Sequence, residues 1–89
     1  MDASAIEQAI VQAIPDAQVF LEGEGCNFTA IVISDEFQDL SLVKRQQRVL
    51  QPVSHWISSG ALHAFSLKVY TVEEWSNRQL ASGLGQVQP

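Results

Sequence analysis

Apolar positions along this chain change period several times, and each change marks an element. Over residues 4–14, Ile6, Ala9, Ile10, Ala13 and Ile14 recur at helical spacing, which predicts an amphipathic helix. Ser4 or Asp2 can cap it, Glu7 stands three residues after Ser4 in capping-box position, and Pro15-Asp16 ends it. In AQVFLE (17–22) the period shortens to two, with Val19 and Leu21 on one face and Phe20 on the other. FTAIVIS (28–34) is rich in β-branched and aromatic residues, so both stretches read as strands. The intervening EGEGCN reads as a loop longer than a tight two-residue turn, closing an antiparallel hairpin.

DEFQD (35–39) has room for one helical turn, with Phe37 entering the core. Ser41 then caps a longer helix over residues 42–58. Its apolar stripe is Leu42, Val49, Leu50, Val53 and Ile57, with Trp56 alongside. Pro52 removes one backbone hydrogen bond, at a cost of about 3 kcal/mol in a regular helix interior. It predicts a kink, or a split into two helices with Pro52 in the first turn of the second. Ser58-Ser59-Gly60 ends the helical region. In LHAFSLKVY (62–70), Phe65, Leu67 and Val69 alternate with Ser66, Lys68 and Tyr70, the pattern of a half-buried strand. Thr71 caps a short helix, Glu74 completes its capping box, and Trp75 packs inward.

The order α-β-β-α(α)-β-α predicts an α+β fold, a three-stranded sheet with helices on one face. It occupies residues 1–81, and SGLGQVQP (82–89) reads as a disordered tail.

Composition narrows the function classes. At 89 residues the chain makes one small domain with one modest core. Its net charge of −5 disfavours unspecific binding to phosphates, although Lys44, Arg45 and Arg48 cluster. A single cysteine excludes an internal disulfide and fits a reducing compartment. No secretory signal or apolar run of membrane-spanning length is visible, so a cytoplasmic location is expected.

Nucleotide-binding glycine motifs are absent from the sequence, and no carboxylate pair is marked out as an acid and base. A cysteine–histidine enzyme would need a substrate cleft that so small a domain hardly provides, so no catalytic residue is assigned and no enzyme is expected. Cys26 and His63 draw attention as a pair. Cys26 ends the hairpin turn and His63 begins the third strand. Alternation alone aims His63 at the helices, as a structural histidine, although the first residue of a strand often escapes that rule. If the third strand lies beside the hairpin, both can face the same end of the sheet. A thiolate and an imidazole form half of an iron or zinc site, and the other two ligands must then come from another molecule.

The segment LHAFSLKVYTVEEW (62–75), together with the spacing of Phe28, Ser34, Phe37, Ser41, His63, Lys68 and Trp75, closely resembles BolA-like proteins. Lys44-Arg45-Gln46-Gln47 looks closest to the small bacterial branch. The resemblance spans about residues 5–78. It implies a class II KH-like fold, αββααβα, and partnership with a monothiol glutaredoxin. It further implies a [2Fe–2S] cluster shared between the two proteins. The glutaredoxin's cysteine and a bound glutathione would give two ligands, His63 a third, and the hairpin loop the fourth. The small bacterial branch often has histidine immediately before Phe28, where this chain has Asn27; Cys26, one residue earlier, matches the cysteine-type branch. The expected roles are iron–sulfur trafficking, iron or redox sensing and stress response, with the free protein a monomer or weak homodimer. The competing reading is a DNA-binding transcriptional regulator using Lys44, Arg45, Arg48 and Lys68. The G-x-x-G loop by which KH-like folds clamp single strands is missing.

Overall fold

The computed structural model describes the backbone of residues 1–86 and the side chains of residues 1–80. Helix α1 spans Ala3–Ala13 and strands β1 and β2 span Gln18–Glu24 and Asn27–Ile33. A 3-10 turn at Asp35–Phe37 leads to α2 (Leu42–Leu50), a second 3-10 turn (Gln51–Val53) and α3 (Ser54–Ser59). Strand β3 (Ala64–Tyr70) and helix α4 (Val72–Gln86) complete the chain. The sheet order is β1-β2-β3, with β1 and β2 antiparallel and β2 and β3 parallel.

The apolar stripes set the layers. Ile6, Ile10 and Ile14 line one side of α1 and are fully buried. They meet the sheet face formed by Phe28, Ala30 and Val32, with Phe65, Leu67 and Val69 in register on β3. Val49 and Val53 complete the core, while Leu42 and Ile57, the ends of the expected stripe, are exposed. The long helical region splits at Pro52 as expected, with the proline in the connecting 3-10 turn, where its missing N–H costs no interior helix bond. Asp2 caps α1 through Ser4 N–H at 3.1 Å, so Ser4 lies inside the helix and its capping box with Glu7 is not used.

Trp75 turns to the opposite sheet face. It stacks on Phe20 with ring centroids 6.2 Å apart and meets Tyr70 at 5.4 Å. Both partners alternate with core-facing neighbours, so Trp75 covers the far side of the sheet at the Tyr70 end. The backbone of α4 stays helical through Gln86, beyond the Ser82 boundary assigned to the tail. No proline lies within residues 72–86, and extending a nucleated helix by single residues costs little. Residues 87–89 of the expected tail lie outside the described residues.

Two polar devices pin the end of the sheet remote from the hairpin. Buried Ser34 donates from Oγ to Asp16 Oδ1 at 2.5 Å and accepts from Glu36 N–H at 3.0 Å, starting the turn that inserts Phe37. Replacing Ser34 by alanine removes a cap and leaves Asp16 short of a donor. We expect a loss of about 1–2 kcal/mol in urea denaturation; an unchanged midpoint would contradict this role.

The second device is the capping box of α4. Thr71 N–H donates to Glu74 Oε1 at 3.0 Å, and Glu74 N–H donates to Thr71 Oγ1 at 3.2 Å. Arg45 of α2 forks onto both Glu74 oxygens at 2.6 and 3.1 Å. The hydrogen bond from Arg45, helped by Thr71 N–H, holds the Glu74 carboxyl below the usual carboxylate range. A depressed carboxyl stabilises the fold above its unfolded pKa of about 4.3, and the gain is lost as pH falls through the folded value. Glu74→Gln keeps the capping acceptor and removes the charge. It should cost about 0.5–1 kcal/mol at neutral pH, the range for well-formed exposed pairs. The gap to the wild type should close in acid; a gap constant down to pH 2 would contradict the assignment.

Candidate metal centre

The hairpin builds this site. Register pairing runs to Glu24↔Asn27, leaving only Gly25 and Cys26 as the loop. The expected longer loop is therefore a two-residue turn. Gly25 at φ +64° takes the first central position, and Cys26 has negative φ, the pattern of a type II′ turn. Composition made Gly23 and Glu24 look like loop, but they continue β1. Gly23 has φ +135°, and a Cβ there would lie 2.1 Å from the Asn27 carbonyl oxygen. Glycine is required because the two strands approach so closely at this point.

The turn is also tied to β3. The Cys26 carbonyl accepts from His63 N–H at 2.7 Å and from Ala64 N–H at 3.1 Å. Cys26 and His63 thus start from backbones about one strand spacing, some 5 Å, apart. His63 lies just before β3 rather than within it, and its side chain is exposed. The inward direction suggested by alternation does not hold, because pleating begins only at Ala64. Cys26 is a free, half-buried thiol. The described residues engage neither side chain in a hydrogen bond, leaving both available as ligands.

Thiolate sulfur and imidazole nitrogen bound to one tetrahedral metal sit about 3.5 Å apart at ordinary bond lengths. Side chains rooted on adjacent backbones can close that span, so the donor set fits a shared iron. Among the described residues no group of three or more His, Cys, Asp or Glu could hold a metal. Beside the pair, an open groove of about 350 Å³ runs over the outer sheet face between Glu22, Asn27, Thr29, Ala64 and Ser66. Neither Cys26 nor His63 lines it. Sequence reading missed these groove residues; their only signal was the polar half of the strand alternation.

The four cations of the competing nucleic-acid reading do not form one patch. Arg45 is committed to Glu74 and also donates from Nε to the Leu40 carbonyl at 3.0 Å. Arg48 pairs with Glu36 at 2.6 Å. Lys44 is on α2, against the core-side layer, whereas Lys68 belongs to the outer face of β3.

The family model for BolA-like protein matches residues 7–74. The chain belongs to the BolA-like family. A Haemophilus influenzae relative is 41% identical over 75 residues, covering 84% of this chain and 88% of its own length. The acid stress protein IbaG of Escherichia coli is 31% identical over 83 residues, covering 93% and 99%. The structure of a BolA homologue from Coxiella burnetii superposes with a TM-score of 0.74 at 28% identity, over 85% of this chain and 97% of that one. The BolA-like fold therefore accounts for nearly all the described elements, with the hairpin turn and the start of β3 meeting at one corner. Among the described residues, no helix is long and apolar enough to cross a membrane.

Proposed function

We propose that this BolA-like protein is the partner of a monothiol glutaredoxin and co-ligates a bridged [2Fe–2S] cluster through Cys26 and His63. The observation that carries this reading is the His63 N–H to Cys26 carbonyl bond, 2.7 Å long, which roots both candidate ligands at one corner of the sheet. A two-ligand half-site cannot satisfy a cluster that takes four protein-type ligands, so the glutaredoxin cysteine and its glutathione supply the remainder.

The cluster brings one-electron chemistry and iron–sulfide cargo. This chain's residues set how it is held. Cys26 contributes a thiolate from a turn fixed by backbone bonds. His63 contributes a neutral nitrogen in place of a second thiolate, which reduces negative charge at the iron and raises its potential. An imidazole must give up its proton to ligate, so loading weakens with acid. The stress name of the E. coli relative fits a regulatory use of that sensitivity, and the same chemistry serves iron or redox sensing and iron–sulfur trafficking.

The test is anaerobic reconstitution of this protein with a monothiol glutaredoxin, glutathione, iron and sulfide. The expected product is a one-to-one heterodimer whose visible circular dichroism differs from that of the glutaredoxin loaded alone. Spectra identical to the glutaredoxin's own would overturn the reading.

A further inference from the structure

The sheet has an unprotected edge. Strand β1 pairs only with β2. The Glu24–Asn27 pair closes a two-residue turn, so inward bonding alternates from it. Gln18, Phe20, Glu22 and Glu24 bond toward β2, and Val19, Leu21 and Gly23 turn their N–H and C=O groups to the open side. Among the described residues, no further backbone bond engages these groups. The edge also carries three successive apolar residues. Val19 and Leu21 pack against the core but stay half-exposed, and Phe20 is 50% exposed on the outer face. Proteins usually blunt such an edge with charged residues, proline or a bulge; Gln18–Leu21 contains none of these, and the charges of β1 begin only at Glu22.

We propose that the protein self-associates through this edge, two copies pairing their β1 strands antiparallel about a two-fold axis at Phe20. The occupant follows from self-complementarity. Pairing the outward groups of Val19 with those of Leu21 in the second copy sets Phe20 opposite Phe20 of that copy. This is a non-hydrogen-bonded position, where side chains approach most closely. The same register sets each Glu22 opposite Gln18, whose amide can donate to the carboxylate, so no like charges face each other within the paired segment. Phe20 already stacks on Trp75, so an aromatic row would run across the axis. A two-fold pairing uses one edge per copy and closes. It leaves both Cys26–His63 corners free, at opposite ends of the joined strands, so it is independent of the iron–sulfur reading.

Sedimentation equilibrium of the full chain from about 10 µM to about 1 mM reads this directly. A monomer–dimer equilibrium is expected. Gln18→Glu places a carboxylate opposite Glu22 twice per dimer and should weaken association about tenfold, whereas Gln18→Lys should strengthen it by a similar factor. Phe20→Lys should abolish it. Gln18 is exposed, so its variants report on pairing even if Phe20→Lys perturbs folding. A monomer at every concentration, or a dimer indifferent to the charge at residue 18, would overturn the proposal.

Discussion

Gly23→Ala is expected to destabilise the domain by about 3 kcal/mol or more, a large share of the 5–15 kcal/mol that holds a typical domain together. The added methyl would lie 2.1 Å from the Asn27 carbonyl oxygen and 2.8 Å from Phe28 Cα. Both are backbone atoms of the paired strand, so the clash cannot be relieved by rotating a side chain. The φ of +135° adds strain that any L-residue would carry. For a domain of this size the melting temperature should drop by roughly 10–20 °C. Gly25 supplies the internal control. It also has positive φ, but a Cβ there meets nothing within 4 Å, so Gly25→Ala should carry backbone strain alone, about 1–3 kcal/mol, and cost less than Gly23→Ala. Equal losses at the two positions would show that strand approach is not what demands glycine. Opening the hairpin should also free the Cys26 carbonyl, and amide exchange at His63 and Ala64 should accelerate in Gly23→Ala alone.

The second large effect concerns the cluster. In the reconstituted complex, His63→Ala should change the visible circular dichroism and lower cluster retention at least tenfold, because one of four ligands is lost and water is a poor substitute. Losses of ten- to a hundredfold already follow removal of groups that merely orient a ligand. Cys26→Ala should do the same by removing the only thiolate this chain can give. Asn27→Ala, which alters the neighbouring position without touching either donor, should leave the spectrum intact. All three variants sit on exposed or half-exposed positions, so folding should survive and loss of cluster can be read as loss of a ligand. If both donor variants kept the wild-type spectrum, this chain would be a protein partner without a metal role.

Much of the architecture could be read from residue spacing. Ile6, Ile10 and Ile14 lie four apart, and the alternation through Phe65, Leu67 and Val69 is unbroken, so α1 and β3 followed directly. Thr71 and Glu74 signalled their capping box, and Pro52 its break. What escaped depends on backbone geometry or on distant partners. EGEGCN looks like a loop by composition. Nothing in those letters says that Gly23 is there to let two strands touch, so composition alone implies too long a turn. His63 shares the parity of Phe65, yet its N–H is committed to the Cys26 carbonyl before the pleat begins, so parity gave its direction wrongly. The basic cluster looked uniform along the chain. The carboxylates that occupy Arg45 and Arg48 are 29 and 12 residues away in sequence. Helix α4 passed its expected end because Gly83 and Gly85 weaken a helix without stopping it.

A common end of the sheet for Cys26 and His63 requires β3 to lie beside the hairpin, and the parallel β2–β3 pairing meets that condition. The decisive measurement is pulsed electron paramagnetic resonance of the reduced heterodimer, with this chain alone carrying ¹⁵N-labelled histidine. The expected result is a ¹⁵N coupling of directly bound strength that disappears in His63→Ala and persists when the other histidine, His55 on α3, is replaced by alanine. A cluster showing no nitrogen donor from this subunit would contradict it.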